Sequence, residues 1–229
     1  MIEEPKTLRI GADVQRRPTA AQVAAFKGVP TGFVVDAMFG SGQMDAAVSP
    51  LLPGLDSVVG PAVTAENRPS DVLATLGAIK FIQPGDVVVA GVQGWQGCAS
   101  AGDRVCGFAK NSGAVGFVTD GPMRDLDGLE DVGLPVWCTG LTPGSPYGTG
   151  PGQVGSAVMV AGQRVETGDM IVADRDGVVV VPFAMIDEVA VRLPAVAEME
   201  HAMDAEVRDG LRLPESIVEL LESDQTDRS

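Results

Sequence analysis

The sequence predicts an α/β fold with a layered β/β/α arrangement and helices at its C-terminus. Three observations support this prediction: helix and strand segments alternate in the middle of the chain, short strands follow them, and helical stretches close the sequence. Such alternation is typical of parallel sheets, whereas strands separated only by turns are typical of antiparallel ones. With 229 residues, 45% of them hydrophobic, the chain can bury one core of ordinary size, so we expect a single domain over residues 1–229.

The first third of the chain carries short elements separated by glycine and proline. Apolar spacing from Ala20 to Phe26 predicts a helix that begins after Thr19, a residue type favoured at the N-cap. Gly32 to Ala37 is a second compact apolar stretch. Leu51 to Val59 and Pro61 to Ala65 are predicted as separate short strands or loops, because a glycine divides them.

Two units of helix followed by strand occupy the middle of the chain. Asp71 to Phe81 has the apolar spacing of a helix and precedes a buried strand at Val87 to Ala90. Asp103 to Asn111 is a second helix, and it precedes a strand at Val115 to Val118. Leu134 to Trp137 is predicted as a further short strand.

The C-terminal part begins after a long loop rich in glycine, proline and threonine, from Thr139 to Gly152. Turn-separated spacing then predicts an antiparallel set of three strands: Ala157 to Val160, Met170 to Ala173 and Gly177 to Val181. A helical extension covers about residues 184–223. We expect it to be interrupted at Pro194, because an internal proline removes a helical hydrogen bond and clashes with the preceding turn.

Composition excludes several classes of function. A formal net charge of -15 opposes binding of nucleic-acid phosphates, and no apolar run approaches a membrane span or a signal peptide, so we expect a cytoplasmic protein. Cys98, Cys106 and Cys138 form no C-x-x-C pair and are expected to be buried free thiols. His201 lies in an acidic helix and is expected at the surface, which disfavours a catalytic histidine.

Two turns after predicted strands hold the residues best suited to chemistry. The turn from Gly91 to Asp103 is rich in glycine and opens a helix, so its backbone amides favour an anion. The turn from Asp120 to Asp125 places the Arg124 guanidinium, suited to a carboxylate, beside an oxygen ligand for a divalent cation. Ligands in α/β folds bind beyond the carboxyl ends of parallel strands, where both turns are expected.

Each of these features also has a purely structural interpretation. Asp103 is suited to a helix N-cap, and Arg124 with Asp125 to a surface ion pair. Two aromatic-bearing loops, Gly94 to Gly97 and Pro143 to Tyr147, are equally suited to lining a pocket and to packing. These alternatives stay open on local pattern alone.

Specific runs of residues resemble the RraA-like family. They are Gly102-Asp103, then residues 118–125 with the sequence VTDGPMRD, then Gly133-Leu134-Pro135-Val136. Flanking matches at residues 59–64 and 168–182 extend the resemblance over most of the chain. The family includes class II pyruvate aldolases that act on 4-hydroxy-4-methyl-2-oxoglutarate and 4-carboxy-4-hydroxy-2-oxoadipate.

The resemblance implies a three-layer β/β/α swivelling-type domain that assembles as a homotrimer or a hexamer. It assigns Asp125 to direct binding of Mg2+ or Mn2+, and Asp103 to binding of the same ion through water. It also implies that Glu200 of a neighbouring subunit reaches the ion through water. Gly128 departs from the family pattern, because an acid often stands at this position, and this puts the surroundings of the metal in question.

The remaining assignments concern the substrate. The resemblance implies that Arg124 holds the pyruvate carboxylate, assisted by the backbone amides of Arg104 and Val105 next to Gly102. With Asp103 and Arg124 as the catalytic pair, the expected activity is metal-dependent cleavage of a 2-oxo acid to pyruvate. Loss of carbon dioxide from oxaloacetate forms the same enolate, so decarboxylation is expected as well.

Two other functions compete with the aldolase. The family also contains regulators that bind a ribonuclease, or another protein partner, and need no chemistry, and fold alone does not separate these from enzymes. Retention of Asp103, Arg124 and Asp125 favours the enzyme. A methyltransferase, a label sometimes given to such sequences, is disfavoured because no glycine-rich nucleotide fingerprint is present.

Overall fold

The computed structural model describes residues 6–54 and 57–227. Within them the strands are β1 (Leu8–Ile10), β2 (Ser49–Pro50), β3 (Val58–Asn67), β4 (Val87–Gly91), β5 (Gly116–Thr119), β6 (Val136–Cys138), β7 (Gly152–Val154), β8 (Val158–Val160), β9 (Gln163–Val165), β10 (Met170–Ala173) and β11 (Val178–Val181). The helices are α1 (Ala20–Phe26), α2 (Thr31–Ala37), α3 (Leu73–Ala78), α4 (Asp103–Asn111), α5 (Leu126–Val132), α6 (Ile186–Arg208) and α7 (Glu215–Glu222).

The central sheet runs in the order β1-β7-β3-β4-β5-β6-β2. Its middle strands β3, β4, β5 and β6 are parallel, and every residue of β4 and β5 is buried. Continuous apolar strands of this kind are typical of a parallel sheet covered on both faces. The carboxyl ends of β4 and β5 therefore lie side by side, at the edge where α/β folds bind ligands.

Two strand layers are enclosed by helices. On one face of the central sheet, Val88 packs in a cluster with Ala109 of α4. On the other face, Val89 packs in a cluster with Ile171 of β10. The outer side of β10, with Val172, is covered by α1, α2 and α6. This arrangement confirms the predicted mixed α/β fold.

Several predicted elements are confirmed, and their local causes are visible. The helix from Ala20 to Phe26 begins with a capping box, in which the Thr19 hydroxyl accepts from the Gln22 amide at 3.2 Å and the Gln22 side chain accepts from the Thr19 amide at 2.8 Å. The helix from Asp103 to Asn111 has the predicted bounds, and Gly113 follows it at φ +103°. The other elements of the central units are present with ends shifted by up to three residues, and α3 ends at Ala78 where a 3-10 turn, Ile79–Phe81, continues the predicted helix.

The predicted break before Pro61 is wrong, because β3 is one strand of 10 residues. Gly60 serves a close approach, since a Cβ atom there would lie 2.1 Å from the Gly85 carbonyl oxygen. The strand changes partners at this point, from β10 to β4. Residues 55 and 56 of the predicted Leu51 to Val59 segment lie outside the described residues.

The predicted antiparallel set of three strands is also partly wrong. β10 pairs with β11 as expected, but β8 pairs with β9, a strand that the sequence analysis missed. Ala161 and Gly162, both with positive φ, form a tight turn that folds the chain back onto β8. β10 pairs with β11 on one side and with β3 on the other, so β8 has no place beside it.

The predicted interruption at Pro194 is wrong, because α6 continues through it for 23 residues. Leu193 and Val196, on either side of the proline, are buried in the same cluster as Val189. Packing of one continuous apolar face outweighs a local cost of roughly 3 kcal/mol for a proline inside a helix. The predicted helical extension over about residues 184–223 is otherwise present, and it ends in α7.

Three further observations concern the cysteines, the histidine and the helices. Cys98, Cys106 and Cys138 are free and buried, as predicted. His201 is exposed and makes an edge contact with the Phe33 ring, 6.0 Å between centroids. Within residues 6–54 and 57–227, no helix has the length and apolar character that crossing a bilayer requires.

Candidate functional site

Backbone hydrogen bonds join the two predicted turns at the ends of β4 and β5. The Ser100 amide donates to the Pro122 carbonyl at 2.7 Å, and the Arg124 amide donates to the Ala101 carbonyl at 3.2 Å. Met123 forms bridges with Ala101 on one side and with Leu141 of the long loop on the other. The structure therefore brings together the two predicted turns and the long loop that follows β6. The position of the long loop beside these turns was not predicted from the sequence.

The glycine-rich turn is shaped by a carboxylate of this chain. Asp120 is buried, and it accepts from the amides of Val92 at 2.7 Å and Gly94 at 2.8 Å. Burial raises the pKa of the Asp120 carboxyl, and hydrogen bonds from backbone amides only partly offset this effect. The prediction that the backbone amides of this turn bind an external anion is wrong for the first half of the turn. The amides there donate to Asp120, the residue that follows the neighbouring strand β5.

Arg124 and Asp125 lie in a loop, as their joint role requires. Asp125 takes the left-handed conformation, φ 60° and ψ 54°, immediately before α5, a helix that the sequence analysis missed. The side chains are 33% and 43% exposed, and Arg124 Nε lies 3.0 Å from Asp125 Oδ2. The ion pair between Arg124 and Asp125, which is the structural interpretation of these residues, therefore forms at an accessible edge of the sheet.

Gly102 leaves the space in which these side chains meet. A Cβ atom on it would lie 2.7 Å from Asp125 Oδ2 and 2.9 Å from Arg124 Cγ. Gly102 is also the N-cap of α4, so the alternative role of Asp103 as N-cap is wrong, and Asp103 is the first helical residue. The Asp103 carboxylate faces α5, where a Cβ atom on Gly128 would lie 2.6 Å from Asp103 Oδ2.

Two carboxylates of the site are suited to a divalent cation. Asp103 and Asp125 flank Gly102, and both are accessible carboxylates. Across the described ranges 6–54 and 57–227, no group of three or more His, Cys, Asp or Glu side chains is placed to hold a metal. Mg2+ keeps several waters and uses one or two protein carboxylates together with substrate oxygens, so this sparse set fits it.

The other predicted residues lie at different distances from this centre. Arg104 and Val105 are in the first turn of α4, and the Arg104 amide donates to Asp103 Oδ1 at 2.7 Å. Glu200 lies on α6, which packs on the outer side of β10 and β11. The role of Glu200 from a neighbouring subunit stays a prediction, because the structure describes one subunit.

Sequence reasoning missed one polar residue of the site. Ser145 lies in the loop between β6 and β7, and its hydroxyl oxygen accepts a hydrogen bond from Arg124 Nη1. The aromatic stretch Pro143 to Tyr147 lies in the same loop, and its Tyr147 is 70% exposed. No local signal separates Ser145 from other loop serines, because its contact depends on how the loop returns over Arg124.

Comparisons with known proteins place the chain in a family. The family model RraA-like (Aldolase/RraA) matches residues 31–180, a region that includes Asp103, Arg124 and Asp125 and ends before Glu200. A protein of Halalkalibacterium halodurans named "Putative 4-hydroxy-4-methyl-2-oxoglutarate aldolase" is 33% identical over 189 residues, 82% of this chain and 90% of that protein.

Solved structures are similar over most of the chain. An uncharacterised protein from Pseudomonas syringae pv. tomato aligns with a TM-score of 0.75 and 26% identity, over 86% of this chain and 92% of that one. Streptomyces coelicolor RraAS2, described as an unusual member of the RNase ES inhibitor RraA protein family, aligns with a TM-score of 0.72 and 27% identity, over 84% of this chain and 100% of that one. The family model and these likenesses agree, and this protein belongs to the RraA-like family.

Proposed function

We propose that this chain is a divalent-metal-dependent pyruvate lyase. It cleaves 2-oxo acids of the 4-hydroxy-4-methyl-2-oxoglutarate type by retro-aldol chemistry, and it decarboxylates oxaloacetate. The observation that carries the proposal is that Arg124 and Asp125 meet at Gly102, the residue that precedes Asp103, at the carboxyl ends of adjacent parallel strands. The aldolase name of the Halalkalibacterium halodurans relative supports the same substrate class.

Arg124 orients the substrate. Its guanidinium is planar and only partly exposed, so it can hold the pyruvate carboxylate through parallel hydrogen bonds. The first-turn amide of Val105 lies at the positive end of α4 and favours the same anion. The Arg104 amide would join it by exchanging its hydrogen bond to Asp103 Oδ1 for one to the substrate. Fixing the carboxylate and the 2-oxo group in one orientation aligns the carbon-carbon bond that breaks.

Asp125 and Asp103 would hold Mg2+ or Mn2+, Asp125 directly and Asp103 through water. When bound, the ion draws electron density from the 2-oxo group and so stabilises the enolate that bond cleavage leaves. The cleavage also requires that the 4-hydroxyl group lose its proton. In this proposal a water or hydroxide held by Asp103 and by Glu200 of the neighbouring subunit accepts that proton, and return of a proton to the enolate carbon gives pyruvate. The role of Glu200 requires a homotrimer or hexamer.

Substitution of the two central residues tests the proposal. Asp125→Ala is expected to abolish metal-dependent pyruvate release, whereas Asp127→Ala, an exposed acid in the first turn of α5, is expected to leave it unchanged. Arg124→Ala should mainly raise KM, because it removes binding of the substrate carboxylate. The measurement is steady-state pyruvate release with Mg2+, and unchanged turnover in Asp125→Ala would refute the metal assignment.

A second candidate function is regulation of a ribonuclease by direct binding. It is favoured by the likeness to Streptomyces coelicolor RraAS2, which is described as belonging to an inhibitor family. The two candidates differ in a simple way, because a regulator needs neither Arg124 nor Asp125 for chemistry. A variant that loses lyase activity and keeps a binding function would show that both properties reside in one chain.

A further inference from the structure

The loop between β6 and β7 carries a residue that extends the site, and the argument rests on the proposed function. This loop contacts both turns of the site: the Ala99 amide donates to the Gly144 carbonyl at 2.9 Å, and the Thr142 amide donates to the Met123 carbonyl at 2.9 Å. Ser145 follows Gly144 directly and is therefore held close to Arg124. A short, doubly anchored segment of this kind positions a side chain with little loss of entropy on binding.

The contacts of the Arg124 guanidinium define which of its donors are left for a ligand. Nε faces Asp125 Oδ2 at 3.0 Å, and Nη1 donates to the Ser145 hydroxyl oxygen. A guanidinium has five N-H donors. In residues 6–54 and 57–227, no further acceptor lies within hydrogen-bond distance of the group, so the Nη2 donors have no partner in the described protein.

The Ser145 hydroxyl can accept one hydrogen bond and donate another. Its oxygen accepts from Arg124, and its own proton has no protein acceptor in the part of the chain that the structure describes. We propose that Ser145 is a substrate-binding residue, which donates this proton to the same carboxylate that Arg124 holds. The Arg124 guanidinium and the Ser145 hydroxyl, which are hydrogen-bonded to each other, would then both bind the substrate carboxylate. The same hydrogen bond would also hold the guanidinium in its present orientation.

Three variants of the full-length protein test this inference. Ser145→Ala removes the hydroxyl and is expected to weaken pyruvate binding, measured by calorimetry in the presence of Mg2+, roughly ten- to a hundredfold, the effect of a lost hydrogen bond to a charged group. Ser145→Thr keeps a hydroxyl and should retain most of the affinity. Ser112→Ala is the matched control, because the Ser112 hydroxyl donates only to the Phe108 carbonyl in α4, at 2.9 Å.

Kinetics provide a readout that a merely structural role would not give. In pyruvate release from 4-hydroxy-4-methyl-2-oxoglutarate, Ser145→Ala should raise KM much more than it lowers kcat, and Ser145→Thr should restore KM. Ser145→Ala that binds pyruvate as tightly as the unmodified protein would overturn the inference and leave the proposed function standing. Absence of pyruvate binding in the unmodified protein would instead overturn the proposed function itself.

Discussion

At the scale of single residues, the site depends on two glycines that leave room for carboxylates. Gly102 makes space for Asp125, and Gly128 makes space for Asp103. Gly128 is the position at which the sequence departs from the family pattern. In this chain a larger residue at position 128 would displace the Asp103 side chain. The present position of Asp103 therefore depends on the glycine.

Gly128→Ala tests this coupling. In a helix an alanine is usually more stable than a glycine by about 1 kcal/mol, but here the new Cβ atom would lie 2.6 Å from Asp103 Oδ2. We expect pyruvate release to fall roughly tenfold or more, with little or no gain in the free energy of unfolding. Assays of turnover and thermal unfolding measure both effects.

The matched control is Gly107→Ala in α4. A Cβ atom there would meet only Val132 Cγ2, at 3.7 Å, an ordinary contact. This variant should gain about 0.5–1 kcal/mol of stability and keep its activity. Equal activity of the Gly128→Ala variant and the unmodified protein would mean that Asp103 does not need its present position.

At the scale of elements, the loop that carries Ser145 is anchored by one buried carboxylate. Asp71 Oδ2 accepts from the amides of Thr149 at 2.8 Å and Gly150 at 2.9 Å, and Asp71 Oδ1 accepts from the Leu73 amide at 2.8 Å. Burial acts to raise the pKa of this carboxyl, but the hydrogen bonds outweigh it and the pKa is lowered below 3.8. The far end of the loop is therefore tied to the start of α3.

Asp71→Asn should destabilise the protein by about 1–3 kcal/mol at neutral pH, because a buried acceptor is replaced by a donor. A lowered folded-state pKa means that the stability from Asp71 is present above pH 3.8 and is lost as pH falls through the folded value. The difference in unfolding free energy between the unmodified protein and Asp71→Asn should therefore shrink below pH 3.8. Denaturant unfolding at several pH values measures it.

A control for this prediction is Asp45→Asn, an exposed carboxylate that accepts from the Ala47 amide at 2.8 Å. Its effect on stability should stay within about 0.5 kcal/mol. If the difference in unfolding free energy between the unmodified protein and Asp71→Asn stayed constant down to pH 3, the ionised Asp71 carboxylate would not be what stabilises the loop.

Helix α6 gives a second test at this scale. Pro194 lies inside the helix and has no amide hydrogen for the Ala190 carbonyl. Pro194→Ala should raise the free energy of unfolding by about 1–3 kcal/mol, and Pro194→Gly should raise it less. Calorimetric melting of both variants measures this order. A lower melting temperature for Pro194→Ala would show that the proline is favourable where it stands.

At the scale of the whole molecule, most of the fold follows from the sequence. The buried strands β4 and β5 and the helix α4 are predictable because apolar periodicity is strong there, and they place Asp103, Arg124 and Asp125 at one edge. The errors have a common cause, since tertiary packing overrides local signals. Glycine and proline commonly interrupt strands and helices, yet β3 continues through Gly60 and α6 continues through Pro194.

The rest of the site could not be predicted from local pattern. Ser145 is near Arg124 only because Asp71 and Gly144 anchor a long loop, and such contacts join residues far apart in sequence. The contribution of Glu200 depends on assembly with another subunit, and it stays a prediction. Helix α5 was missed because it spans only seven residues and contains a glycine.

The central claim is that this edge of the sheet is the site of a divalent-metal-dependent pyruvate lyase. The most direct test measures pyruvate release by the purified protein from 4-hydroxy-4-methyl-2-oxoglutarate and from oxaloacetate, with Mg2+ or Mn2+ and again with excess chelator. The account predicts release that the metal supports and the chelator abolishes. No release with either metal, or release that the chelator leaves unchanged, would contradict it.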